Sequence, residues 1–155
     1  MIDTNDVRKT VSGHALIRGV DQIPKGHVRL ETGFLYPDGS SVDVFLLDES
    51  PLLQSLKLSD LGQTVSWLLD VQVKPWLSKK RQRFVDDALR IYGVTQSGGA
   101  LEKPLQSLSD LVEGVVQLGQ ACVRVADLTY TRRSALQTGI AEDIEEFLAD
   151  ADLPF

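Results

Sequence analysis

Residues 27–47 read HVRLETGFLYPDGSSVDVFLL, and this stretch decides the fold. Pro37-Asp38-Gly39 suits a tight turn, because proline presets the first turn angle and glycine tolerates a positive φ. The flanking residues 27–35 and 41–47 then read as the two strands of a β-hairpin. In the second strand Val42, Val44 and Leu46 fall on one face and Asp43, Phe45 and Leu47 on the other. Sheet packing on both sides is therefore expected at that end.

Working outward, residues 52–58 alternate loosely as a third strand and run into Ser59-Asp60-Leu61-Gly62-Gln63-Thr64. Asp60 and Gln63 have the spacing of a capping box, with the carboxylate accepting helix-start N–H groups and the amide reaching back. The helix that follows carries Val65, Leu68 and Leu69 as its buried stripe. Pro75 interrupts it, Ser78 caps a further helix to Tyr92 with Phe84, Val85, Ala88, Leu89 and Tyr92 inward, and Gly93 stops it. A short extended stretch is expected at 101–105.

Leu108, Leu111, Val115, Leu118, Cys122 and Val125 step by three and four, and Val112, Val116, Gly119, Val123 and Ala126 form a second stripe. That pattern predicts one long apolar helix near 108–130, roughly 36 Å at 1.5 Å per residue, serving as a spine under the sheet. Val7, Val11, Ala15 and Leu16 behind Asn5 predict a first helix over 5–16. Strands grouped early and helices late give an α+β fold: a small, mostly antiparallel sheet of three to four strands packed on helices. Residues 1–135 read as one domain, and 136–155 as an acidic helix that starts a linker to a further domain.

The chain of 155 residues has a net charge of −6, but Glu142, Asp143, Glu145, Glu146, Asp150 and Asp152 place six acids and no base in residues 141–155. The remainder holds 22 − 6 = 16 acids against 16 bases and is neutral. The apolar runs fall far short of the roughly 18 residues of a membrane span. A lone cysteine, Cys122, forms no intramolecular disulfide, and a cytoplasmic setting fits best.

Classical chemistry finds little footing. His14 and His27 lie on different elements with no histidine or cysteine at ligand spacing, so neither a metal site nor a triad is expected. No cofactor is implied, since phosphate-binding glycine loops are missing. Cys122 sits in the apolar stripe and reads as inert. A metal-dependent nuclease would need carboxylates near a strand end and a lysine for the phosphate; Asp38, Asp43 and Lys74 are the weak candidates. Lys79, Lys80, Arg81 and Arg83, with Trp76 beside them, cluster at a helix start where the macrodipole disfavours cations. They are candidate phosphate contacts. The plain alternative is a solvated face eased by Arg83–Asp87 and Asp86–Arg90 pairs.

The hairpin with its Pro37-Asp38-Gly39 turn, the Ser59-Asp60-Leu61-Gly62-Gln63-Thr64 segment and the basic helix closing on Tyr92-Gly93-Val94 together resemble a bacterial and prophage family. It is catalogued as a domain of unknown function, the 1828 family, and the resemblance covers about residues 5–130. Ser59 departs from the threonine of the family pattern. The resemblance brings no reaction, cofactor or catalytic residue; it implies an N-terminal module and a role in phage–host conflict.

These observations point first to a non-enzymatic protein-binding module that occupies a partner's surface through Glu142, Asp143, Glu145, Glu146 and Phe147. Its partner would be another protein, basic or nucleic-acid-binding, with a homodimer through the long apolar helix as a second option. The alternatives are a nucleic-acid-processing enzyme using Asp38, Asp43 and Lys74, and a nucleic-acid-binding module using the basic helix start.

Overall fold

The computed structural model describes residues 2–50 and 55–131, the side chain of Ser50 excepted. Its sheet grows from the hairpin. Tyr36 N donates to the Ser40 carbonyl (2.8 Å) and Gly39 N to the Tyr36 carbonyl (2.9 Å), with Gly39 at φ 87°. This closes the turn between β2 (Val28–Leu35) and β3 (Ser41–Ser50). Val28 pairs with Leu46 and Leu30 with Val44, and all four are fully buried on one face. The ladder slips between Glu31 and Leu35, where the buried Thr32 hydroxyl donates to the Val42 carbonyl (2.6 Å) and accepts from Phe34 N (3.2 Å). A polar side chain thus satisfies the backbone groups that the bulge frees.

Among the described residues the sheet has six antiparallel strands, in the order β1-β2-β3-β4-β6-β5, where β1 is Ile17–Gln22, β4 Ser55–Ser59, β5 Thr95–Ser97 and β6 Ala100–Leu105. The expectation of three to four strands is corrected by β1 and β5, the two edges. An edge strand buries little, so its sequence carries weak alternation: β1 buries Ile17 alone. β5 has three residues and owes its existence to the Gly98-Gly99 turn into β6.

The helices α1 (Thr4–Val11), α2 (Gln63–Asp70) and α3 (Lys79–Tyr92) all touch α4 (Leu111–Ala126), which lies across β2, β3, β4 and β6. The first helix is shorter than 5–16 and is capped by Asp3, whose carboxylate accepts from Asn5 N (2.8 Å). It stops at Ser12-Gly13, where Gly13 takes φ 82°, and Ala15 and Leu16 are exposed. Leu69, expected in the core, is 49% exposed, because α2 is two turns long and buries Thr64, Val65 and Leu68 instead.

The long apolar rod is also shorter than its pattern. Residues 108–110 form a 3-10 turn, α4 spans 16 residues, and Asp127 interrupts the ladder before helical residues 128–131. The Ser107 and Ser109 hydroxyls bond each other (2.6 Å) at the upstream break, where such side chains compete with the helix. As a spine, however, α4 performs as expected: Leu111, Val115, Leu118, Ala121 and Cys122 are fully buried. Two glycines bring it onto the sheet. A Cβ on Gly114 would lie 2.7 Å from Leu105 and 2.9 Å from Leu58, and one on Gly119 would overlap the Phe34 ring. Most of both stripes is covered within the chain, with Val112, Val116 and Val123 partly exposed. No described helix is long and apolar enough to cross a membrane.

The opposite face of the sheet carries Phe45 and Leu47 among paired charges, Leu47 being buried as the alternation implied. Arg29 meets Asp43 (3.0 Å) and Asp21 (3.5 Å), and Lys57 meets Glu49 (2.6 Å) and Glu102 (2.7 Å).

Candidate binding surface

The connection from α2 to α3 is built by alternation. After Asp70 the chain turns at Gln72, a non-glycine residue at φ 63°, and Val73 N returns to the Leu68 carbonyl (2.8 Å). Val73 and Pro75 are then buried, so Lys74 and Trp76 project outward between and beyond them. Leu77 N donates to the Lys74 carbonyl (3.3 Å), Arg81 Nη1 donates to the same oxygen (3.2 Å), and Ser78 Oγ caps α3 by accepting from Arg81 N (3.2 Å). The connection is therefore pinned at both ends while presenting Trp76 and Leu77 at 42% and 58% exposure, and Leu69, in the last turn of α2, is 49% exposed.

Cations border these apolar groups. Lys74, Lys79, Lys80 and Arg83 are exposed and Arg81 is half-buried. The expected compensating pairs are replaced by others: Asp87 takes Arg90 (3.3 Å), Asp86 accepts from Gln82 (2.8 Å), and Arg83 Nε turns back to the Lys79 carbonyl (3.5 Å). The four cations fall in or before the first turns of α3, where its dipole is positive, so their field adds to that of the helix end. Phe84, just beyond, carries the Arg124 guanidinium of α4 over its ring at 5.0 Å.

The nuclease candidates fall on separate surfaces. Asp38 lies at the hairpin tip, where Oδ1 accepts from the Ser40 hydroxyl (2.6 Å) and amide (2.9 Å) and Oδ2 from Trp67 Nε1 (3.1 Å). These bonds, that of the Ser40 hydroxyl foremost, hold its carboxyl below the usual range. Asp43 lies on the charged face of the sheet, committed through Oδ2 to Arg29, whose guanidinium is pushed up first by that bond. Lys74 belongs to the α2–α3 connection. Among the described residues no three histidine, cysteine, aspartate or glutamate side chains are spaced to hold a metal ion. His14 is exposed and His27 half-buried. Glu142, Asp143, Glu145, Glu146 and Phe147 lie outside the described residues.

The core also holds a buried polar network. Asp60 is fully buried; Oδ1 accepts from Gly62 N (2.9 Å) and Leu101 N (2.8 Å), and Oδ2 from Thr64 N (3.0 Å), with the Cys122 thiol at 4.0 Å. Thr64 Oγ1 meets the Tyr36 hydroxyl (2.9 Å), and Tyr36 stacks on Trp67 at 5.6 Å. Burial pushes the Cys122 thiol and the Tyr36 hydroxyl well above their ordinary values. Neither is set up as a nucleophile. Half of the expected capping box is present. Gln63 does not reach back: its Oε1 accepts from Asp43 N (3.1 Å), while Asp60 N pairs across the sheet with the Leu101 carbonyl (3.0 Å).

A family model described as Domain of unknown function DUF1828 matches residues 32–125. The chain belongs to this family. No curated protein and no solved structure matches it. The DUF1828 stretch runs from β2 into the last turn of α4 and contains the whole α2–α3 connection, while α1 and β1 lie outside it. The residues of the DUF1828 resemblance have structural duties here. Ser59 Oγ accepts from Leu61 N (3.0 Å), a bond that a threonine hydroxyl forms equally, so its departure from the family pattern leaves the turn intact. Leu61 (φ 52°) and Gly62 (φ 83°) carry the left-handed turn into α2. Gly93 at φ 64° closes α3, with Val94 N on the Leu89 carbonyl (2.9 Å) and Lys103 Nζ on the Tyr92 carbonyl (3.0 Å).

Proposed function

We propose that this DUF1828 chain is a non-enzymatic regulatory module, acting in the cytoplasm in a phage or mobile-element conflict, that works by occupying the surface of another protein. The supporting observation is the α2–α3 connection, where Trp76 and Leu77 stand exposed on a segment anchored by buried Val73 and Pro75, with Leu69 exposed in the last turn of α2. Preorganised apolar anchors inside a charged rim are what a protein interface uses, and tryptophan is prominent among residues that dominate binding energy. The cationic rim of Lys74, Lys79, Lys80 and Arg83 calls for an acidic partner surface.

A second reading is favoured by Trp76 standing beside those cations: single-stranded nucleic acid, its bases stacked on the indole and its phosphates on the basic side chains. One pair of variants separates the two. Trp76→Ser/Leu77→Ser abolishes capture of the protein partner. Under the second reading, Lys79→Glu/Lys80→Glu/Arg83→Glu abolishes binding of a labelled single-stranded oligonucleotide, and that binding in the parent chain falls steeply with salt. Undiminished capture by the Trp76/Leu77 variant contradicts the proposal.

A further inference from the structure

The sheet has two faces, and the described helices lie on one of them. α4 covers the face that carries Val44 and Leu46, and α1, α2 and α3 gather against α4. Phe45 and Leu47 alternate with those residues along β3 and stand outside the core that the helices close. Strand pairing sets a row across this second face. Asp21, Arg29, Phe45, Ser59 and Glu102 lie opposite one another on β1, β2, β3, β4 and β6, and residues directly opposite in an antiparallel pair share a face. One row on, Leu47 lies opposite Lys57. Phe45 and Leu47 therefore form a ridge along β3 with a charged cluster on each side.

Each cluster holds one base between two acids. Arg29 meets Asp21 and Asp43, and Lys57 meets Glu49 and Glu102, so each keeps one negative charge in excess. Glu31 on β2 and Arg18 on β1 add charges of opposite sign. Asp21 and Glu49 are the most exposed of the paired acids, with 61% and 51% of their side chains open to solvent. The face is thus acidic on both flanks of its ridge. It repels phosphates, and a second copy would set acid against acid. The spacing also has a natural occupant: β2 and β4 are two strand spacings apart, about 9–10 Å, and an α-helix with its side chains is about 10–12 Å across.

We infer that this face seats a basic amphipathic helix of a partner protein, laid along β3 with its apolar side chains on Phe45 and Leu47 and its lysines or arginines on both flanks. The cations of that helix pair with Asp21 on one side and Glu49 on the other. Together with α4 it encloses the sheet between two helical layers. The α2–α3 connection is a different surface and calls for an acidic partner, so this site stands independently of the binding reading above.

The test uses the isotope-labelled full chain and a synthetic peptide of about 18 residues, with leucines at helical spacing flanked by lysines. A second peptide carries glutamate in place of each lysine. NMR amide shifts locate the contact. The lysine peptide should shift the amides of Arg29, Phe45, Leu47 and Lys57, with affinity falling as salt rises from about 0.1 M to about 1 M, and the glutamate peptide should leave them in place. Asp21→Lys/Glu49→Lys, which alters exposed side chains, should lose at least about tenfold in affinity at an unchanged melting temperature. Phe45→Thr should lose as much while the amide shifts of α4 are retained. Unmoved amides at millimolar lysine peptide, shifts confined to another surface, equal binding of the two peptides, or affinity indifferent to the charge reversal overturn the inference. Movement of the same amides with protein concentration alone also overturns it, because the occupant is then a second copy. Trp76→Ser/Leu77→Ser should bind the lysine peptide as the parent does. If that variant loses both the peptide and the partner, the sheet-face site fails and the binding reading stands. If the peptide binds the sheet and that variant keeps the partner, the binding reading fails alone.

Discussion

Replacing Asp60 by alanine removes the acceptor for three backbone N–H groups at once: Gly62, Leu101 and Thr64. The Gly62 bond is part-buried and its N–H can turn to water. The Leu101 and Thr64 bonds are buried. Each orphaned buried donor costs about 1–3 kcal/mol, so the two together cost about 2–6 kcal/mol. A small domain has about 5–15 kcal/mol in total, so the loss is a large fraction of its stability. Urea denaturation followed by circular dichroism measures it: with a slope of about 2 kcal/mol/M, the midpoint falls by about 1–3 M. Asp60→Asn keeps one oxygen acceptor and turns an amide donor against the other N–H group, so its cost is about 1–3 kcal/mol. Amide exchange at Leu101 should quicken in both variants. An Asp60→Ala protein within about 0.5 kcal/mol of the parent would refute the claim that this carboxylate ties α2 to β6.

Other predictions follow from the same contacts. Gly119→Ala gains about 1 kcal/mol of helix propensity but forces a methyl into the Phe34 ring, and overpacking of about 1–3 kcal/mol should leave a lower melting temperature, restored in part by adding Phe34→Leu. The Asp127 carboxyl is raised above its ordinary value, by burial first, with Arg124 opposing. A carboxyl raised in the folded state destabilises above its folded pKa and stops doing so as pH falls through it, so Asp127→Asn should raise the melting temperature at pH 7 and lose that advantage in acid. Asp43 is committed to Arg29, so Asp43→Ala should neither create nor remove magnesium-dependent cleavage of DNA or RNA; loss of such cleavage in that variant would restore the catalytic reading.

How much of this was legible depended on how local the cause was. Pro37-Asp38-Gly39, Ser78 and Gly93 act through their own backbone angles and nearest bonds, so the hairpin and both ends of α3 stood in the sequence. β1 did not, because an edge strand is made by its neighbour's hydrogen bonds rather than by its own burial. The rod at 108–130 was overextended for the converse reason: Leu128 is buried and continues the apolar step beyond the break at Asp127. Local spacing points Gln63 back at the helix start, whereas its better partners, Asp43 N and the Ser41 carbonyl, are twenty or more residues away. At the candidate surface the cations were legible from composition. The outward set of Trp76 and Leu77 was not, since it depends on Val73 and Pro75 finding the core.

Whether the α2–α3 connection holds the partner is decided by comparing three proteins. The tagged full chain, Trp76→Ser/Leu77→Ser and the control Ile91→Ser, which changes an apolar residue 66% exposed on α3, are each tested for partner affinity in the same lysate. All three should melt at the same temperature, because the altered side chains are exposed. Ile91→Ser should bind as the parent does, and the double variant should lose at least about 2 kcal/mol, roughly thirtyfold in affinity. Equal partner affinity in all three proteins would contradict the binding role of the connection.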